Sequence, residues 1–400
     1  MKATTTRRTY MDNAASTPLL PEVVEAMLPC LRDVYGNPSS LHRWGEEARD
    51  AVEAARGQVA ALISGAPEEV ILMASGSEAN NMAVKGLARA REAKGRHIVV
   101  SAVEHFSVLH SARTMEKQGF EVTEVPVDAN AVVDPDAVLA AVRPDTALVS
   151  VMLANGEVGT IEPVAEIGRA LRERMVPFHT DAVAALGWIP VDVKALNVDA
   201  LSLAANQFHG PAGAAALWIR RGVRVIPLID GGMQEAGRRA GTENVAAIVG
   251  MGKAAEVALA RLETRAETTR VVRDRLIAGV RERIPHAVLT GHAARRLPHH
   301  ASFCIEFIEG ESMLMLLSMQ GVAVSSGSAC TSRALKSSHV LKAMGIDAAL
   351  AQGSIVFTLN ESNTVEDADF VLDALPPVVD RLRQMSPLWD KFQKSGRKGA

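Results

Sequence analysis

Cysteine is scarce: the 400-residue chain holds three, Cys30, Cys304 and Cys330, an odd number with no Cys-x-x-Cys spacing. That pattern argues against a disulfide framework and against a structural zinc site. Long apolar runs are missing as well. No uninterrupted hydrophobic stretch is long enough to span a bilayer, and Met1 to Tyr10 carries Lys2, Arg7 and Arg8 without the apolar segment of a secretory signal. The expectation is a cytoplasmic protein with no membrane partner. Excess charge is also lacking: 43 Lys and Arg against 46 Asp and Glu leave a formal net charge of -3. Phosphate backbones are gripped by clustered basic residues, so nucleic acid is not an expected partner. Internal repeats and low-complexity tracts are absent. What remains is an ordinary globular chain, 48% hydrophobic, long enough for two domains or one large domain with a satellite.

From about Val70 to Ile219, short β-rich runs alternate with helical patterns, the arrangement of parallel strands joined by crossover helices. The strand candidates are Val70–Met73, His97–Val100, Ala147–Met152, Val176–His179, Ala200–Leu203 and Ala214–Trp218. Amphipathic stretches at 78–93 and 165–174 supply helices between them. A proline-free pattern after Asn244 predicts one long connecting helix to about Ile284. Beyond it lie a strand at Ser302–Phe307, helices at 311–319 and 365–385, and a basic Gly/Ser-containing tail. The fold class is therefore α/β, with a large domain at 15–255 and a smaller α+β domain formed by 1–14 and 256–400.

The turn Ala74-Ser-Gly-Ser77 leads from a strand into a helix. Small residues there let backbone N–H groups approach a phosphate, and the helix dipole favours an anion at its start, which makes Gly76 and Ser77 candidate contacts. The bland reading of the same residues is an ordinary helix cap ahead of Glu78. His299-His300 does not suggest a metal site, because adjacent side chains diverge and no further ligand sits at useful spacing.

Several segments together carry a resemblance: Tyr10-Met-Asp-Asn-Ala-Ala-Ser-Thr-Pro18, Gly36-Asn-Pro-Ser-Ser-Leu-His42, Met73–Asn81, Met152–Thr160, Leu201–Gly213 and Ser325-Ser-Gly-Ser-Ala-Cys-Thr-Ser332. From about Tyr10 to Leu375 the chain resembles cysteine desulfurases of the NifS/IscS type, within the class V aminotransferases. The resemblance implies the aspartate aminotransferase-like fold of pyridoxal phosphate-dependent transferases. It further implies that His105 stacks on the cofactor ring, that Asn155 lies near the ring hydroxyl, and that Asp181 faces the pyridine nitrogen. A carboxylate there keeps that nitrogen protonated and the ring an electron sink. Gly241-Thr242 matches a segment that reaches a partner subunit's phosphate, which implies a homodimer. The small-residue loop around Cys330 matches the family's thiol carrier, which takes sulfur as a persulfide and passes it to an acceptor or an iron–sulfur scaffold protein.

The sequence departs from that pattern where the ligand should sit. Gln207 replaces the lysine that forms the Schiff base, Asn206 the adjacent histidine, Ala204 a serine and Ala184 a glutamine. Losing two charge-assisted hydrogen bonds, at roughly 1.5–3 kcal/mol each, weakens phosphate binding by about two to four decades. On the substrate side Val356 stands where the family's carboxylate-clamping arginine does, Glu361 replaces a second arginine, and Ala236 a third. A glutamate at 361 is expected to repel a substrate carboxylate. The expected cofactor state is pyridoxal phosphate bound noncovalently and weakly, if at all. Three readings stay open: a desulfurase homologue that handles persulfide on Cys330, a weakly active desulfurase with untethered cofactor, and a noncatalytic interaction subunit.

Overall fold

Apolar runs of four or five residues become strands here because helices cover both faces of the sheet they build. The computed structural model describes residues 7–327 and 338–396. In chain order the elements are β1 (Thr9–Tyr10), α1 (Pro21–Arg32), α2 (Arg43–Leu62), β2 (Val70–Met73), α3 (Gly76–Asn81), α4 (Leu87–Ala90), β3 (His97–Ser101), α5 (Phe106–Glu116), β4 (Glu121–Val125), α6 (Pro135–Ala141), β5 (Thr146–Ser150), α7 (Val164–Glu173), β6 (Phe178–Asp181), β7 (Ala200–Ala204) and β8 (Ala215–Ile219). They continue with α8 (Val245–Ala260), α9 (Leu262–Arg283), β9 (Ala287–Leu289), β10 (His300–Ile305), α10 (Gly310–Met319), β11 (Val322–Ala323), α11 (His339–Ala343), α12 (Ala348–Gln352), β12 (Ser354–Thr358), α13 (Val365–Gln384) and α14 (Pro387–Gly396). A π-helical stretch, Met82–Gly86, joins α3 to α4.

Seven strands form the main sheet in the order β2-β8-β7-β6-β5-β3-β4, with β8 antiparallel to both neighbours and every other pairing parallel. All residues of β2, β3, β5, β6, β7 and β8 are buried. One apolar core, including Val99, Val149, Phe178 and Phe208, lies on one side of the sheet, and another, including Ile71, Val100, Leu148 and Leu217, on the other. A third core belongs to the C-terminal part: Phe303, Phe357, Leu276 and Leu375 pack between the antiparallel sheet β12-β10-β9 and helices α9 and α13. Met11 from the N-terminal segment joins that third core, and β1 pairs in parallel with β11.

Two expectations change. The single long helix after Asn244 is two, broken at Arg261, which leaves helical backbone at φ -106°, ψ 7°. The halves serve different surroundings: α8 is Ala- and Gly-rich and mostly buried, whereas α9 is rich in Arg and Glu and packs against α13. The second change is β4, an edge strand with only Val125 buried, which the sequence pattern does not announce. Among the described residues no helix is long and apolar enough to cross a membrane.

Candidate functional site

Because β2, β3, β5, β6 and β7 point the same way, their C-terminal ends share one edge of the sheet, where ligands of such folds are held. The loops leaving those ends carry Gly76, Ser77, His105, Asn155, Asp181, Asn206 and Gln207. Asp181, the last residue of β6, is buried. Its Oδ1 accepts from Val183 N at 3.0 Å and its Oδ2 from Asn80 Nδ2 at 2.6 Å. Burial pushes its pKa up, and the nearby His105 opposes that shift. Asn80 also donates to Ser107 Oγ at 2.8 Å, and Ser107 N donates to His105 Nδ1 at 3.1 Å. His105 is the N-cap of α5, and accepting at Nδ1 leaves its neutral-form proton on Nε2. Asp181, Asn80, Ser107 and His105 thus form one continuous chain of polar contacts.

Next to His105, Glu104 is fully buried. Its Oε1 accepts from Ser101 Oγ at 2.7 Å and Met152 N at 2.6 Å, while Oε2 has no partner among the described residues. Burial pushes its pKa well above the ordinary carboxyl value, with the Ser101 and Met152 hydrogen bonds opposing. Sequence reasoning passed over Asn80, Ser107 and Glu104. The partners of Asn80 lie 27 and 101 residues away, and only Glu104 carried a signal, as a carboxyl directly after an apolar strand.

At the end of β7 the side chains of Asn206 and Gln207 face the N-terminal segment. Gln207 Nε2 donates to Ala14 O at 2.8 Å and Asn206 Nδ2 to Ala15 O at 3.4 Å. Thr17 adds two bonds to Asn206 O, from its N at 2.9 Å and its Oγ1 at 3.0 Å. His209 completes the seam, its N donating to Thr17 Oγ1 at 2.7 Å and its Nδ1 to Pro18 O at 2.9 Å. Residues 14–18 are therefore strapped across 205–209, and Trp188 Nε1 holds Gln207 from behind by donating to its carbonyl at 3.2 Å.

The other expected contacts are placed as follows. A Cβ on Gly76 would lie 2.9 Å from Val183 Cγ2 and 3.3 Å from Ala204 Cβ, so the turn is tight and only glycine fits without a shift. Ser75 Oγ caps Glu78 N, while the Glu78 carboxylate accepts from Ala74 N at 2.8 Å and pairs with Arg239 at 2.9 Å. Asn155 is spent on backbone: Nδ2 donates to Val103 O, and Oδ1 accepts from Glu157 N and Val158 N. Thr242 is exposed on a shallow 60 Å³ cleft lined also by Met73, Ala74, Gly213 and Arg239 of the same chain. Cys330 lies outside the described residues.

On the substrate side Val356 is buried in β12. Glu361 does not confront the site as a free anion, as expected above. Its two oxygens accept from Arg261 Nη1 at 3.0 Å and Arg265 Nε at 2.9 Å, which neutralises it. Covalently held pyridoxal phosphate does not fit these residues. Position 207 offers a carboxamide already bonded to Ala14, and Asn155 has no free amide hydrogen to offer a ring hydroxyl, since its second one meets Met152 Sδ at 3.4 Å. Lys85, in the π-helical stretch after α3, donates to Asn81 Oδ1 at 2.6 Å.

Comparison with known proteins agrees with this architecture. Residues 9–371 match the family profile "Aminotransferase class-V". A protein named cysteine desulfurase IscS from Methanosarcina thermophila is 47% identical over 97% of this chain and 96% of its own length. A namesake from Dictyoglomus turgidum is 48% identical over 95% and 97%. Among solved structures, a NifS-like protein superposes with a TM-score of 0.88 at 36% identity, covering 94% of this chain and 100% of its own. SspA in complex with cysteine superposes with a TM-score of 0.78 at 32% identity, covering 89% and 99%. The fold is the α/β fold of pyridoxal phosphate-dependent transferases, with a mixed, mostly parallel central sheet.

Proposed function

We propose, from the premise that this chain belongs to the class-V aminotransferase family, that it is a cysteine desulfurase homologue which handles sulfur as a persulfide on Cys330 without a lysine-held cofactor. The observation that carries this reading is the Gln207 amide, hydrogen-bonded to Ala14 O where an amine would have to stand. A carboxamide does not condense with an aldehyde. Pyridoxal phosphate, where it binds, is held weakly and noncovalently through Gly76, Ser77, His105, Asp181 and Thr242. Cys330 then receives sulfur ready-made: its thiolate attacks the outer sulfur of a donor persulfide, the donor S–S bond breaks, and the donor leaves as a thiolate. The acceptor is a sulfur-acceptor or iron–sulfur scaffold protein.

The working unit in this reading is a homodimer. Helix α1, the loop after it and the first turn of α2 expose Leu28, Leu31, Tyr35, Leu41 and Trp44, Leu41 at 99% and Trp44 at 53%. So many large apolar side chains exposed within seventeen consecutive residues fit burial against a second copy. The test of function is incubation with a low-molecular-weight persulfide, followed by intact-mass and peptide mass spectrometry. One added sulfur atom on Cys330, absent in Cys330→Ser, is the expected result. Alanine released from free cysteine at the rate of a working desulfurase would overturn the proposal.

A further inference from the structure

Strand β1 has one edge engaged and one open. Thr9 N donates to Gly321 O at 2.9 Å and Met11 N to Ala323 O at 2.8 Å, both on the β11 side. The residue between two such donors turns its own N–H and C=O to the opposite edge of a strand. Tyr10 is that residue. Its carbonyl accepts one bond there, from Asn363 Nδ2 at 3.2 Å, on the loop between β12 and α13. Its N–H has no acceptor among the described residues. The open edge borders a 530 Å³ cleft, walled otherwise by Ser16, Thr17 and Pro18 of the strap and by residues of the segment 360–367. That volume is in the range of small-molecule sites.

The walls are held in place by their own hydrogen bonds. Tyr10 Oη lies 2.9 Å from both Asp12 O and Ser16 O. Asn360 Nδ2 donates to Asn13 Oδ1 at 3.0 Å, and Asn360 N to Asn363 Oδ1 at 2.8 Å. A preformed wall spares a ligand part of the ordering cost of binding. Two charged residues line the cleft, Arg8 and Asp367. Asp367 is neutralised: its Oδ1 accepts from Arg7 Nη2 at 2.9 Å and its Oδ2 from Thr364 N at 3.0 Å. Arg8 makes no ion pair among the described residues. One unmatched positive charge therefore stands at the N-terminal end of the open edge.

We propose that this cleft binds a short peptide, about two or three residues long, laid antiparallel along the open edge of β1 with its C-terminal carboxylate on Arg8. Backbone pairing with Tyr10 supplies the main-chain bonds of an added strand, and the guanidinium supplies a charge-assisted pair at its end. Neither group discriminates side chains, so the chemistry recognised is peptide backbone and a terminal carboxylate. The occupant touches the strap through Thr17, which also bonds to Asn206 O and His209 N. The site stands independently of what Cys330 does.

The test is isothermal titration calorimetry on the full chain with trialanine, which carries no sulfur and so reads the same whether or not Cys330 takes up persulfide. Trialanine should bind with a dissociation constant below about 1 mM. Its C-terminal amide, titrated into the same native protein, should bind at least about tenfold more weakly, because a carboxamide does not pair with a guanidinium as an anion does. Arg8→Ala should bring the two ligands within about twofold of each other, since the group that tells them apart is gone. Saturating trialanine should also slow hydrogen–deuterium exchange over residues 9–12, where the Tyr10 N–H gains an acceptor. No binding below about 1 mM, equal affinity for acid and amide, a preference that survives in Arg8→Ala, or unchanged exchange over 9–12 would each overturn the proposal. So would displacement of trialanine by an equal concentration of inorganic phosphate, which would mark a site for any small anion.

Discussion

At the scale of single residues, the site is defined by side chains whose hydrogen-bond donors are already spent. Asn80 is the clearest case. Both its amide hydrogens are used, on Asp181 and Ser107, and removing it would leave Asp181 Oδ2 buried without a donor. Asn80→Ala should destabilise the protein by about 1–3 kcal/mol, read from the urea midpoint; an unchanged midpoint would show that Asp181 finds another partner. The buried acids set a pH dependence of definite sign. Glu162 has its pKa raised from 4.5 to about 8 by burial, so between those values the folded chain holds a proton that the unfolded chain has released. Stability from this group is therefore greatest below about pH 4.5, declines as pH rises, and stops declining above about pH 8. Glu162→Gln should flatten that part of the stability profile. A variant profile parallel to the native one across the interval would mean that Glu162 is ionised in the fold.

Among elements, the most consequential junction is the break between α8 and α9. Arg265, one turn into α9, has a side chain with 0% exposure. It binds Glu361 after β12, donates to Gly187 O at 3.4 Å, and lies 5.6 Å over the Trp188 ring. It thus ties the C-terminal core to the large sheet. Glu361→Ala would strand a buried guanidinium and should cost about 3–5 kcal/mol, whereas replacing both partners with apolar residues should cost much less. Equal losses in the single and double variants would refute that coupling. The same junction shows what sequence periodicity could and could not reveal. The strands buried on both faces were legible as apolar runs, and α13 as an amphipathic stretch, which the structure caps with Thr364 and Asp367. The helix break was not, because nothing local at Arg261 forbids helix; distant Glu22 and Glu361 draw its guanidinium away. Edge strand β4, Glu-Val-Thr-Glu-Val, reads as polar because one side of it meets solvent.

For the molecule as a whole, the fold class and the edge of the sheet that gathers the site were legible in the sequence, since strand direction alone collects Gly76, His105, Asp181 and Gln207. Their partners were not, because the strap from residues 14–18 and the Asn80 bridge join positions roughly a hundred or more residues apart. The exposed apolar residues of α1 and the start of α2 yield a prediction at this scale. Leu31→Asp with Trp44→Asp should convert a dimer to a monomer in sedimentation without loss of helix content; an unchanged sedimentation coefficient would place the interface elsewhere. The central claim, that no covalent tether exists at position 207, is tested most directly by borohydride reduction after incubation with pyridoxal phosphate, followed by peptide mapping. The native chain should carry no stoichiometric adduct, and Gln207→Lys should carry one on the introduced lysine. A stoichiometric adduct on any lysine of the native chain would contradict the account.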